Sequence, residues 1–399
     1  MAKRRERGEG SLYKRADGMW IGRVDLPPDE TGRRPQKTVS SRDKATAIAK
    51  LRDLRRDVAN GLVAPAPDRL TVESWMQTWL DTIAKPRLRP RTLQTYRSAV
   101  KCNIVPHIGD KKLAKLTPAQ VLAMHQMILK AGRSTRTAEI AHKTLTKALD
   151  DAVRHGKISR NVAEHVDGPK VLSTKRKGIT SKQAKIFLRS AIEREDPMAT
   201  RWAAALLTGA RQGELLGLQW SQVDFENRMI YFEWQLQRLP LKKGAGPQAP
   251  DRFDVEPAFK HIPLYRGWAL TPLKTEGSER DIPLPEPLAA LLLKYKSQWR
   301  SNPWNLIWVS DRGTPISSRD DTAAWKAALR TAGVPVIVMH AARNTTATLL
   351  LEAGVDAHVV AAIVGHTDVV TTRGYQWVNP EYARKALSNL DSLLAVSDT

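Results

Sequence analysis

Six residues in the second half of this sequence are of types that can act together on a phosphate. Arg211 lies in TGARQGE, Lys274 in LTPLKTEG, His340 and Arg343 in VMHAARN, and His366 and Tyr375 in GHTDVVTTRGYQWV. Each has an ordinary reading when taken alone. Arg211 sits in a Gly-flanked turn before the apolar run Leu215, Leu216, Leu218 and Trp220, where its fork either faces a phosphate beside helix amides or pairs with Glu214 or Asp224. A lysine ending a hairpin strand is usually a solvated edge charge. His340 and Arg343, three apart, share one helix face. Tyr375, two residues before Trp377, is by default a packing residue.

As a set they mean more. Two arginines, a lysine, two histidines and a tyrosine come with no carboxylate pair, no metal-ligand spacing and no Gly-rich nucleotide loop. That combination suits phosphoryl transfer without a metal or other cofactor. Pentacoordinate phosphorus places extra charge on its non-bridging oxygens, and fixed arginines stabilise it without reorganising. A tyrosine, with an unperturbed pKa of about 10, needs nearby cations and a proton acceptor before it can attack.

The rest of the chain is what must position these groups. At 399 residues it exceeds one ordinary core, so two or three domains are expected. The 64 Lys and Arg against 41 Asp and Glu leave +23, which points to a polyanionic partner, nucleic acid ahead of an anionic membrane. Residues 1–60 carry +7, 68–170 carry +10 and 171–399 carry +6, so the first half holds most of the field. The single Cys102 excludes an internal disulfide and a thiolate cluster, and no apolar run is long enough for a membrane span. A cytoplasmic protein with no membrane partner is the expectation.

Along the chain, GSLYKR, MWIGRVDL and RPQKTVSS alternate as three short strands, and Ala47, Ile48, Leu51, Leu54 and Val58 then keep helical spacing up to Asn60-Gly61. APAPDR is a linker. TVESWMQTWLDTIA, RPRTLQTYRSAVKCNIVPHIG, TPAQVLAMHQMILKAG and STRTAEIAHKTLTKALDDAVRHG each read as one helix opened by Thr, Ser or Pro. After a basic linker at 167–178, helices are interrupted by NRMIYFEWQLQRL and by the pair ALTPLKT and RDIPLP, read as a strand, a tight turn and a strand of one small antiparallel sheet. Residues 241–267 have no period and read as a loop insertion.

In order and spacing, Arg211, Lys274, His340-x-x-Arg343, Gly365-His366 and Tyr375 resemble the catalytic signature of the tyrosine recombinases, and the whole chain is similar to their phage-type integrases. The resemblance implies a multidomain, mainly α fold with small β elements. Residues 1–62 would be an arm-type DNA-binding domain of three strands plus a helix, 68–166 a helical core-binding domain, and 175–399 an α+β catalytic domain. It implies a site-specific DNA recombinase that integrates, and excises, a mobile genome through a 3′-phosphotyrosyl intermediate. Tyr375 would attack, Arg211 and Arg343 clamp the non-bridging oxygens, Lys274 protonate the leaving 5′-oxygen, His340 accept the tyrosine proton and His366 bond a phosphate oxygen. Glu214 would orient Arg211 or the histidines. Partners implied are double-stranded DNA at core-type and arm-type sites, a homotetramer on that DNA, a DNA-bending host factor and an excisionase, at a bacterial nucleoid. Arg87, Arg89, Arg91, Lys143 and Arg160 are candidate backbone contacts.

The sequence departs from that pattern at Ala341, often acidic in the family, and at Asn344, often histidine, and its 241–267 insertion is long. A chromosome-dimer resolvase of the same family, a type IB topoisomerase and a catalytically silent DNA-binding protein of this fold are the alternatives.

Overall fold

The computed structural model describes residues 11–26, 34–59, 70–171, 178–273, 280–299 and 301–365. The chain divides into two compact units, at Ser173 and Thr174.

The first unit opens with β1 (Ser11–Lys14), β2 (Trp20–Asp25) and β3 (Gln36–Ser41), paired antiparallel in that order. Helix α1 (Lys44–Ala59) packs on the sheet through Leu51 and Leu54, which meet Val24 in a small core. Ile48 has the helical spacing but is 39% exposed, because so small a sheet covers only part of the helix.

The bundle that follows contains α2 (Val72–Thr78), α3 (Lys85–Arg87), α4 (Pro90–Ala99), α5 (Val105–Ile108), α6 (Pro118–Lys130) and α7 (Thr135–Arg154). Thr71, Thr117 and Ser134 accept hydrogen bonds from the backbone N–H three residues on, so the sequence-derived helix starts hold at the atomic level. The first two helical runs are continuous, as expected, but widen into π turns at Trp79–Ala84 and Val100–Ile104. Trp75 and Trp79 fill the core; their indole N–H groups donate to Ala148 O and to the buried Asp151, both at 2.8 Å.

The second unit is built on α8 (Ser181–Glu193), α9 (Ala199–Thr208) and the short α10 (Gln212–Leu216). Next come β4 (Val223–Asp224), β5 (Met229–Phe232), β6 (Trp234–Arg238), β7 (Ile262–Pro263), β8 (Trp268–Pro272) and β9 (Arg280–Pro283). Helices α11 (Glu286–Gln298), α12 (Ser318–Thr331), α13 (Met339–Glu352) and α14 (Ala357–Val364) complete it.

The sheet expectation is corrected here. The run 227–239 breaks at Glu233, so that β5 and β6 enter different sheets, ordered β4-β5-β9 and β6-β8-β7. Strands β8 and β9, read as the arms of one hairpin, thus pair with different partners among the described residues. Alternation along each strand is the same whichever neighbour it has, so periodicity could not tell these arrangements apart. The 241–267 segment is largely irregular, as expected, but its Ile262–Pro263 forms β7 against β8, and the rest is pinned. The buried Arg252 donates to the carbonyls of Ala249, Leu264 and Arg266, and Phe253 packs with Leu239 and Ala269.

Helix α9 is buried from Thr200 to Thr208. Its Arg201 pairs with Asp321 of α12 at 3.0 Å, both side chains fully inaccessible, beside Trp202 and Trp308. Gln212 donates to the same Asp321 oxygen at 2.7 Å and so ties the start of α10 to α12. Asp321→Ala is expected to destabilise the unit by about 3–5 kcal/mol, because it strands the Arg201 charge among indoles. The urea midpoint at neutral pH measures this, and a shift near zero would refute it. Among the described residues no helix is long and apolar enough to cross a membrane.

Candidate active site

Helix α9 stops at Gly209, whose φ of 60° turns the chain left-handed; a Cβ there would sit 2.8 Å from a Val364 methyl. Two residues on, Arg211 caps α10. Its backbone N–H donates to Glu214 Oε2 at 2.8 Å and its Nη1 to Glu214 Oε1 at 2.7 Å, so one carboxylate holds both the chain and the fork.

Arg343 reaches the same place from the second turn of α13, which lies against α9 through Thr346 Oγ1 donating to Leu206 O at 2.8 Å. Its Nη1 donates to Gly209 O at 2.9 Å and its Nη2 to Gly365 O at 2.8 Å. Arg211 Nη2 donates to that same Gly365 carbonyl at 3.0 Å, across 154 positions of sequence. Gly365 ends α14 with φ of 69°, the left-handed region that favours glycine. Two guanidinium groups therefore converge on one oxygen at the end of α14. Each uses two of its five N–H groups in these bonds, which leaves donors for a further acceptor.

A third arginine completes the cluster. Arg280, first residue of β9, donates from Nη2 to Glu214 Oε2 at 2.8 Å and from Nε to Ile363 O at 3.1 Å. Burial alone would push the Glu214 carboxyl up, but the Arg280 charge and the hydrogen bonds from Arg280 and Arg211 outweigh it and hold it at about 2. Glu214 is thus a carboxylate at neutral pH. Burial, with the neighbouring Arg211 and Arg280 charges, pulls Arg343 down to about 9, still cationic at neutral pH. Three guanidiniums face one carboxylate, a local excess of two positive charges suited to an anion. The Arg211 side chain, 37% exposed, marks the open side, whereas those of Arg280 and Glu214 are 8% and 1% exposed.

The structure thus brings Arg211, Glu214 and Arg343 together. His340 lies in the first turn of α13 with its side chain exposed. Lys274, His366 and Tyr375 fall outside the described residues. In the helical bundle Arg87, Arg89, Arg91, Lys143 and Arg160 are all exposed. Arg87 approaches the buried Asp151 at 3.5 Å, and Lys143 bonds Glu139 at 2.7 Å; the cation of each pair is exposed. Sequence reasoning missed Arg280. The signal was available as an arginine opening the strand RDIPLP, six residues after Lys274, but a strand-end arginine alone says nothing about what it faces. No group of three or more potential metal ligands is assembled among the described residues.

The phage integrase family profile matches residues 254–381, and the N-terminal SAM-like domain of phage integrases matches 71–126. An integrase of Saccharopolyspora erythraea is 27% identical over 417 residues, covering 94% of each chain. An integrase of Streptomyces ambofaciens is 29% identical, covering 93% of this chain and 92% of its own. In fold, a lambda integrase dimer bound to a COC' core site aligns with a TM-score of 0.57 at 18% identity, over 95% of this chain and 99% of that one. The Tn1549 transposon integrase in complex with a circular intermediate DNA aligns at 0.62 and 19% identity, over 80% and 99%.

Proposed function

We propose a division of labour for this chain, which belongs to the phage integrase family of tyrosine recombinases and is a site-specific DNA recombinase. Tyr375 attacks the scissile phosphate, forming a 3′-phosphotyrosyl link and releasing a 5′-hydroxyl. The new ester conserves the energy of the one broken, so resealing needs no nucleotide cofactor. The observation that carries the assignment is the convergence of Arg211 and Arg343 on one oxygen, with Glu214 bracing the first. Their remaining N–H groups grip the non-bridging oxygens, where charge grows in the transition state. Lys274 protonates the 5′-oxygen, His340 takes the tyrosine proton, and His366 bonds a phosphate oxygen. A 5′-hydroxyl from a partner strand then reverses the first step.

Residues 1–62, 68–166 and 175–399 serve arm-site binding, core-site binding and catalysis respectively. The basic bundle meets the DNA backbone, with Arg87, Arg89, Arg91, Lys143 and Arg160 as contacts. A lambda integrase tetramer bound to a Holliday junction is a structural neighbour, with a TM-score of 0.55. It supports tetramer assembly of this chain on paired sites. A DNA-bending protein and an excision factor would set direction, and the reaction, integration of a mobile genome, would take place at a bacterial nucleoid.

A nicked suicide duplex carrying the core site tests the reading. Cleavage beside the nick frees a short strand that diffuses away, so a covalent protein–DNA adduct accumulates. Tight binding without an adduct would sink the recombinase mechanism, and relaxation of any supercoiled plasmid regardless of site would point to a topoisomerase.

A further inference from the structure

We propose that Arg280 is a positioning residue of the cleavage step: it sets the Arg211 fork through Glu214 and binds the last turn of α14 to the start of β9, so that both parts are placed together. The inference rests on the reading that this chain cuts DNA through Tyr375.

The geometry comes from four hydrogen bonds, one ring contact and one close approach. Arg280 Nη2 and the Arg211 backbone N–H both donate to Glu214 Oε2, each at 2.8 Å, while Arg211 Nη1 takes Oε1 at 2.7 Å. Both carboxylate oxygens are therefore committed, and the carboxylate cannot rotate away from Arg211 without breaking the Arg280 bond. Arg280 Nε meanwhile bonds Ile363 O at 3.1 Å, two residues before the Gly365 carbonyl that receives Arg211 and Arg343. The guanidinium rests 4.9 Å from the centroid of the Phe232 ring, and Phe232 is the direct cross-strand partner of Arg280 in the β5 and β9 ladder. A Cβ at residue 365 would lie 3.3 Å from Arg280 Nη1, so the end of α14 approaches this guanidinium closely.

Its place in the cluster separates Arg280 from the phosphate-gripping arginines. The open side is at Arg211, whereas the Arg280 side chain is only 8% exposed and is occupied with Glu214, a carbonyl and a ring. Without it, Glu214 would keep a charge in a buried place with one arginine fewer, and α14 would lose an anchor just before the segment bearing His366 and Tyr375. A lysine could keep the charge, but one ammonium cannot span Glu214 and Ile363 O as the fork does.

The test uses full-length wild type, Arg280→Lys, Arg280→Gln, Glu214→Gln and the Arg280→Gln/Glu214→Gln double variant, with single-turnover cleavage of the suicide duplex, duplex affinity and melting temperature read for each. Arg280→Lys and Arg280→Gln are expected to slow adduct formation by roughly 10²-fold, the scale of a small misplacement of a catalytic group, with duplex affinity unchanged. The double variant is expected to be no slower than the worse single one, because both act on Arg211 along one chain of contacts. Wild-type cleavage rates in Arg280→Gln, rescue by Arg280→Lys, or rate losses that multiply in the double variant would each overturn the inference while leaving the recombinase reading intact.

A second readout does not depend on activity. With its carboxyl held below the unfolded value, Glu214 contributes stability above that value, which is lost as pH falls from about 4.5 toward about 2. Arg280→Gln should move this acid-side loss of melting temperature to higher pH. If wild type forms no adduct, the recombinase reading fails, and an unmoved acid limb then overturns the Arg280 assignment as well.

Discussion

Tyr375→Phe protein is expected to bind core-site duplex as tightly as wild type and to form no covalent adduct with it. Phenylalanine keeps the ring and its packing but has no oxygen with which to make a phosphoester. In the proposed reading, binding rests on the basic bundle and on the open-side donors of Arg211 and Arg343, none of which the substitution touches. The expected contrast is therefore complete loss in one assay and no change in the other, read by denaturing gel for the adduct and by gel shift for affinity. Tyr375 was, taken alone, a packing residue next to Trp377; the remote cations changed that reading. In the proposed reaction the excess positive charge of Arg211, Arg280 and Arg343 over Glu214 would supply the field that a phenol with an ordinary pKa of about 10 needs in order to attack as phenolate. A persisting adduct in Tyr375→Phe would assign the nucleophile elsewhere and remove the central residue of the mechanism.

Arg343→Lys is expected to lose roughly 10³-fold in the cleavage rate, within the range that a transition-state arginine contributes to phosphoryl transfer. The substitution is not conservative here. Arg343 spends one N–H on Gly209 O at 2.9 Å and one on Gly365 O at 2.8 Å, and in the proposed reaction offers others to the phosphate. A lysine ammonium has three donors at a single point and cannot reach two carbonyls and an anion on separate sides. Arg343 is also 2% exposed, so one carbonyl left unbonded should lower the melting temperature. Adduct formation under saturating protein, with a melt run in parallel, separates the two effects. A folded Arg343→Lys protein that cleaves within a few-fold of wild type would show that Arg343 serves only as a structural tie between α9 and α14.

The architecture was legible in the sequence wherever it depends on neighbours. Thr71, Thr117 and Ser134 cap helices as their side-chain chemistry dictates, and the three N-terminal strands and α1 fall where alternation and helical spacing place them. The failures share a cause. Glu233 divides 227–239 between two sheets, and β8 and β9 take different partners, each a pairing with a segment far away in the chain.

The sequence by itself determined the chemistry available: a strongly basic chain, a set of residue types able to bind phosphate and transfer protons in one order, and the family to which that order belongs. Only the tertiary structure decided that Arg211 and Arg343 meet at Gly365 O, that Glu214 is buried and ionised between two arginines, and that Arg280 belongs with them. The reason is one of range. Caps and periodicity are set by bonds between residues a few positions apart. The meeting of the Arg211 side chain with a backbone carbonyl 154 positions away exists only after α9, α13, α14 and the β5 and β9 ladder have packed into one core.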